Sequence, residues 1–170
     1  MRKKTAWLNL TVIMAMAGAA FISCGEKPPA DGAIRLSKLK VGAREYYEAA
    51  KPAVASGDYE NARIKFEKAI AADTTFTEAW YNLGATLAML SISAMRQGDE
   101  AGAVDLFRQA VEAKKKAREL TSQGRWYVYK LKTEQDQVVS DLENGLADTD
   151  EVLNDVPSLV QALKLWAGIQ

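Results

Sequence analysis

The chain has 170 residues, a length that suits one ordinary domain, and its 22 basic and 22 acidic residues balance to a formal charge of zero. This balance gives no general electrostatic attraction to nucleic acid. The absence of histidine and the single cysteine exclude histidine-dependent catalytic triads, most zinc sites and a disulfide within one chain.

The N-terminal region has the pattern of an export signal. Basic residues at positions 2–4 precede an apolar run from about Trp7 to Phe21, and the first acidic residue is Glu26. The run is about 15 residues long, whereas a membrane-spanning helix needs roughly 20. We therefore predict a signal segment rather than a spanning helix, although an uncleaved anchor is a third interpretation.

The end of this run carries further information. The sequence Phe21-Ile22-Ser23-Cys24-Gly25 resembles the lipobox of bacterial lipoproteins, in which a small residue precedes a cysteine that becomes the lipidated first residue. The resemblance implies a signal peptide over residues 1–23, lipidation of Cys24, and a membrane anchor in a bacterial cell envelope that faces the periplasm or the exterior. Ordinary cleavage near residues 18–20, which would leave a free thiol, is the alternative.

A short tether is predicted next. Residues 24–33 contain Pro28-Pro29 and Gly32 and almost no apolar side chain, so they read as a flexible connection to the folded part.

From about Ile34 the apolar residues recur at three- and four-residue steps, which predicts helices throughout. The first predicted helix ends at Gly57, the second runs from about Tyr59 to Ala72, and the third begins near Thr75 and ends at Gly98. The fourth runs from Glu100 to about Leu120. The stripe assigned to the first helix is Leu36, Leu39, Ala43, Tyr46, Ala50 and Ala53.

One pattern is written twice. A Gly-Asp pair is followed by Ala-x3-Phe-x2-Ala, and all five positions of the second copy are displaced by the same offset. The first copy is Gly57, Asp58, Ala62, Phe66 and Ala69, and the second is Gly98, Asp99, Ala103, Phe107 and Ala110. A fixed internal period indicates a repeat architecture whose units stack on one another.

Together with Trp80-x2-Leu83-Gly84 in the second unit, this pattern resembles the tetratricopeptide repeat (TPR) family. The resemblance implies an all-α fold in which residues 34–124 form two antiparallel helix pairs, a fragment of an α-solenoid. Between Gly84 and Ala103 the chain has seven more residues than the usual unit, and we expect them to lengthen the third helix by about two turns.

Residues 125–170 are predicted to form a helical C-terminal cap, because two repeats need capping. Charge is divided unevenly around this boundary: residues 108–132 are rich in cations and residues 133–170 are rich in acids. We interpret Lys114 to Arg118 as a solvated face on which the acidic cap folds back, and a contact for anionic lipid or an acidic partner is the alternative. Removal of residues 148–170 is then expected to lower thermal stability, more so at low salt.

In the TPR family, ligands bind in the concave groove lined by the first helix of each pair. The resemblance places these partner-binding positions at Arg44, Tyr47, Lys51, Val54, Glu78, Tyr81, Asn82, Ala85 and Met89. For Tyr47 and Tyr81, packing between helices is an equally good interpretation.

The predicted function is a membrane-anchored adaptor or scaffold of the cell envelope that binds a protein or peptide, is not an enzyme, and needs no metal or cofactor. Self-association by stacking of two copies is compatible with two repeats. The alternative is an accessory protein of envelope transport that binds a small ligand or lipid. Its cavity would be walled by apolar residues of the third helix, namely Leu87, Met89, Leu90, Ile92 and Met95.

Overall fold

The computed structural model describes residues 37–147 and 149–169. The predictions for the signal peptide, Cys24 and the tether lie outside these residues. The described part contains α-helices and no β-strand, which confirms the all-α prediction. Its helices are α1 (Ala43–Ala55), α2 (Tyr59–Ala72), α3 (Thr77–Arg96), α4 (Glu100–Ser122), α5 (Lys132–Leu146), α6 (Thr149–Asn154) and α7 (Val156–Ala167).

The first helix begins later than the sequence predicted. Residues 37–40 have no regular structure, and α1 begins after Gly42, whose φ of 84° is left-handed and ends any helix that precedes it. The backbone N–H groups of Ser37 and Lys40 instead donate to Trp126 O and to Asp73 Oδ2. The predicted helical stripe through Leu39 was therefore wrong. Tyr46 was also placed inward, whereas it is 42% exposed and its neighbour Tyr47 is buried.

The two Gly-Asp pairs end one helix and begin the next, as predicted. Gly57 and Gly98 have φ values of 77° and 82°, which glycine adopts without a Cβ penalty. The side chain of Asp58 accepts from Asn61 N, and that of Asp99 accepts from Gly102 N. Each carboxylate satisfies an otherwise free N–H group in the first turn. The three-residue connections put α1 beside α2 and α3 beside α4 as helical hairpins.

The core of these hairpins is made by the residues of the doubled pattern. Phe66 of α2 and Phe107 of α4 are each 1% exposed, and the alanines that flank them are buried. Between the hairpins α2 packs on α3, and side chains of α3 enter both hydrophobic clusters of the described residues. The helix α3 has 20 residues and α1 has 13, so the third helix is lengthened by seven residues, as expected from the spacing.

The C-terminal helices pack on the second hairpin. The helix α5 lies on α4, and α7 lies on both α3 and α4, with Leu142, Leu159 and Leu163 fully buried. Polar contacts at the edges join α6 and α7 to the second hairpin: Lys115 pairs with Asp150, Lys164 pairs with Glu100, and Arg96 Nε donates to Ala167 O. The hydrophobic contacts fix the position of these helices, because exposed ion pairs contribute little.

None of the helices in residues 37–147 and 149–169 is long and apolar enough to span a membrane.

Candidate functional site: the inner face of α1 and α3

We call the nine positions that the TPR resemblance assigns to partner binding the inner face. Arg44, Tyr47, Lys51 and Val54 lie on α1, and the other five lie on α3. Arg44 is exposed, and Lys51 and Met89 are half-buried. The buried positions are Tyr47, Val54, Glu78, Tyr81, Asn82 and Ala85.

A segment of the same chain covers much of this face. Residues 125–131, which we call the covering segment, connect α4 to α5 without forming a helix. One carboxylate oxygen of Glu78 accepts hydrogen bonds from the backbone N–H groups of Tyr127, Val128 and Tyr129 at 2.8, 2.8 and 3.2 Å. The inner face therefore binds three successive N–H groups of a bent backbone through a single buried carboxylate.

Further contacts hold the first half of the covering segment. The Thr77 hydroxyl donates to Arg125 O, and the hydroxyls of Thr75 and Tyr127 share a hydrogen bond. The ring of Tyr127 meets the edge of Phe76 at 5.5 Å between centroids. With Tyr127 buried, the segment is an integral part of the core.

The carboxylate of Glu78 is fully buried and only half satisfied. Burial raises the pKa of Glu78, while the hydrogen bonds from the covering segment act in the opposite direction because they favour the charged form. The second oxygen, Oε2, has no hydrogen-bond partner among the described residues.

Next along α3, Asn82 joins the two helices of the inner face. Its Nδ2 donates to the hydroxyl of Tyr47 at 2.9 Å. The ring of Tyr47 packs between Phe66 and Phe76, with centroids 5.7 and 4.9 Å away. Burial raises the pKa of Tyr47, and the nearby Tyr129 adds to the shift. Tyr47 therefore acts in packing between the helices, one of the two interpretations that the sequence allowed.

Tyr81, the equivalent tyrosine of the second hairpin, links three helices. Its hydroxyl donates to Asp141 Oδ2 of α5 at 3.0 Å, and the Nζ of Lys114 from α4 lies 3.4 Å from the centre of its ring. Lys114 is 1% exposed, so its assignment to a solvated cationic face was wrong. Its side chain enters the core because Gly84 leaves room: a Cβ at position 84 would lie 2.7 Å from Lys114 Cγ.

The accessible part of the inner face borders an open cleft of about 690 Å³ at the start of α1. Its walls are residues 37–42, Arg44, Glu45, Glu48 and Tyr127. Arg44 is thus the predicted binding residue that lies in the cleft. The apolar residues of α3 proposed as the wall of a lipid cavity do not border it; Leu87, Leu90, Ile92 and Met95 are buried in the helical core.

Within the described part of the chain no group of acidic or cysteine side chains is placed to hold a metal ion. The principal feature that sequence reasoning missed is the covering segment. Trp126, Tyr127 and Tyr129 gave an aromatic signal between the repeats and the cap, but their contacts lie about 50 residues away in sequence and no local pattern contains them.

Comparisons with protein-family models, with curated proteins and with solved structures found no match to this chain.

Proposed function

We propose that this protein is a lipid-anchored adaptor of the bacterial cell envelope, built on two TPR-like helix pairs, that binds a segment of a partner protein beside α1. The doubled pattern and the lipobox-like sequence around Cys24 support the architecture and the anchor. The observation that supports the binding role is the contact between Glu78 and residues 127–129, in which a side chain of this face holds a non-helical stretch of backbone by its N–H groups.

The partner segment is proposed to enter the open cleft, next to the covering segment. The charged side chains that border the cleft have both signs: Lys38, Lys40 and Arg44 are positive, and Glu45 and Glu48 are negative. Leu39 and Val41 add apolar side chains to this lining. A short peptide with both charged and apolar side chains matches this lining better than a polyanion does.

The tether sets how far this cleft can lie from the membrane. Twelve residues lie between Cys24 and Ser37, and the thirteen steps from one to the other span up to about 45 Å in a fully extended chain. An adaptor anchored in this way searches a thin layer next to the bilayer, where an envelope partner would be met at high effective concentration.

Photo-cross-linking in the native membrane tests the binding role. A photoreactive amino acid replaces Arg44 in one strain and Asp105, an exposed residue of α4, in a matched control. We expect a discrete protein adduct from position 44 alone. The same adducts from both positions, or none from position 44 at native expression level, would contradict the proposed binding site.

The anchor has a separate test. Cys24→Ser removes the thiol that would carry the lipid, and we expect the protein to move from the membrane fraction to the soluble fraction and to lose incorporation of labelled palmitate. Ser23→Ala, which keeps a small residue before the cysteine, is the matched control and should retain both. Membrane association of the Cys24→Ser chain equal to that of the control would refute lipid anchoring.

A further inference from the structure

Lys114 is a buried amine in a place where its charge is poorly accommodated. Its Nζ has no hydrogen-bond partner in the described residues and lies over the face of the Tyr81 ring, a contact that favours the charged form only modestly when compared with water. Desolvation by burial lowers the pKa of Lys114 from 10.5 to about 7, and the charge of Asp141 opposes this shift. The amine therefore changes its charge close to neutral pH.

Protonation of Lys114 can be distinguished from that of the other groups around it. The chain has no histidine. From α3, α5 and the covering segment the nearby groups are Tyr81, Asp141 and Tyr129, and burial raises the pKa of both tyrosines, away from neutrality. On α4 itself the charged neighbours in sequence are Glu112, Lys115, Lys116 and Arg118, which are half-buried or exposed. Lys164 of α7 pairs with Glu100 at the other end of α4.

Lys114 also lies where α3, α4 and α5 meet. Its stem fills the space above Gly84 of α3, and its amine lies beside the Tyr81–Asp141 hydrogen bond that connects α3 to α5. Of the helices that meet here, α5 is the one most easily separated, because α3 and α4 pack far more extensively on each other than α5 packs on α4. A charged amine would reach water when α5 moves away. Proton uptake and release of α5 are thus coupled.

We propose that Lys114 is a proton-controlled latch: protonation of its amine releases α5 and loosens the cover over the inner face, so that the protein opens more often as the pH falls from 8 to 6. This inference goes beyond the adaptor role. It concerns closure of the fold and would stand even if no partner were bound in the cleft.

The direction and size of the pH effect on opening follow from the charge of the Lys114 amine in the open and closed forms. In water the amine has its ordinary pKa of 10.5 and is charged throughout this range, whereas in the closed fold it is charged only below about pH 7. The open form binds more protons, so a lower pH favours it, and the opening constant should rise about tenfold between pH 8 and pH 6 and level off below. Glu78, whose pKa is raised by burial, would act in the opposite direction.

Labelling of a buried thiol in the full chain measures this opening. Val138→Cys places the thiol on the buried face of α5, one helical turn from Asp141, and peptide mass spectrometry separates it from Cys24. The labelling rate at each pH is divided by that of a short unfolded peptide with the same cysteine. We expect the quotient to rise about tenfold from pH 8 to pH 6, and by less than twofold when Lys114→Met is combined with the probe.

A second probe distinguishes release of α5 from global unfolding. Ala88→Cys lies in the middle of α3, within the core, and its thiol should be labelled at least about tenfold more slowly than the thiol at position 138. Equal quotients at both positions would mean that the whole chain unfolds, and the latch would be wrong. A flat pH profile at position 138, or the same rise with Lys114→Met, would overturn it too.

Lys114→Arg provides a further variant should Lys114→Met disturb folding. Arginine stays charged at every pH used, so the labelling quotient at position 138 should be high and independent of pH. A tenfold pH dependence that survives this substitution would assign the effect to another group.

Discussion

Glu78 is the residue on which the inner face depends most. Its replacement by alanine would leave three consecutive backbone N–H groups buried without an acceptor. We expect Glu78→Ala to lower the free energy of unfolding by about 3–5 kcal/mol, measured by urea denaturation. Glu78→Gln keeps an acceptor oxygen and removes a buried charge, so its loss should stay below about 1.5 kcal/mol.

Glu45→Ala is the control for this prediction, because Glu45 lies in the first turn of α1 as Glu78 does in α3 but is exposed. Its effect should be within about 0.5 kcal/mol. If Glu78→Ala and Glu78→Gln cost the same, the charge rather than the three hydrogen bonds holds the covering segment.

Gly84 and Lys114, which lie against each other in the core, show how much of a single residue's role can be predicted from sequence. Gly84 allows α3 and α4 to approach closely, since a Cβ there would lie 3.0 Å from Ala110 O. The entry of Lys114 into the same space was not predicted. Periodicity identifies which face of a helix is apolar, but a long stem that fills a notch left by glycine on another helix leaves no trace in the sequence around it.

At the scale of elements, the local signals were the informative ones. The bounds of α2 agree with the prediction, and α4 extends two residues beyond it, since the Gly-Asp pairs determine helix ends through contacts within four residues. The start of α1 was missed because Gly42 was not recognised as a stop and because Asp73 and Trp126, distant in sequence, accept from the segment before it.

The aspartate caps allow a paired prediction. Asp58→Ala and Asp99→Ala each leave a first-turn N–H group without its side-chain acceptor, so each should lower the free energy of unfolding by about 1 kcal/mol. The two caps belong to different hairpins and share no partner, so the double variant should lose about 2 kcal/mol.

Urea denaturation monitored by circular dichroism measures this set, with Asp105→Ala as the control. Asp105 is an exposed residue inside α4, and alanine there should be neutral or slightly stabilising. A double variant that loses much less than the sum of the single ones would indicate that helix ends fray before the cooperative transition.

At the scale of the whole molecule, the all-α class followed from periodicity, whereas the covering of the inner face did not. Glu78 and Tyr127 are 49 residues apart, and their contact depends on the path of α4 and on the aromatic side chains of residues 126–129. The positions that the sequence assigned to partner binding lie on α1 and α3. Nothing in the sequence indicated that the chain itself covers most of them, which leaves the cleft beside Arg44 as the accessible part.

The C-terminal helices give the last prediction, because their hydrophobic and charged contacts can be separated. Removing residues 148–170 takes away the fully buried side chains of Leu159 and Leu163 and exposes the surface of α3 and α4 on which α7 packs. Burial of two leucines is worth about 4–6 kcal/mol, so Tm should fall by roughly 10–20 °C. The pairs Lys115–Asp150 and Lys164–Glu100 are partly exposed, so each contributes at most about 1 kcal/mol to stability, mostly at low salt.

A variant that keeps α7 isolates the contribution of the two ion pairs. Asp150→Asn combined with Lys164→Gln removes both ion pairs and leaves the leucines in place, so Tm should fall by only about 2–5 °C at 20 mM salt and hardly at all at 500 mM. Scanning calorimetry of the three chains at both salt concentrations measures this. If the double substitution alone reproduced the loss caused by truncation, charge rather than apolar packing would hold the C-terminal helices on α3 and α4, contrary to the arrangement of their buried side chains.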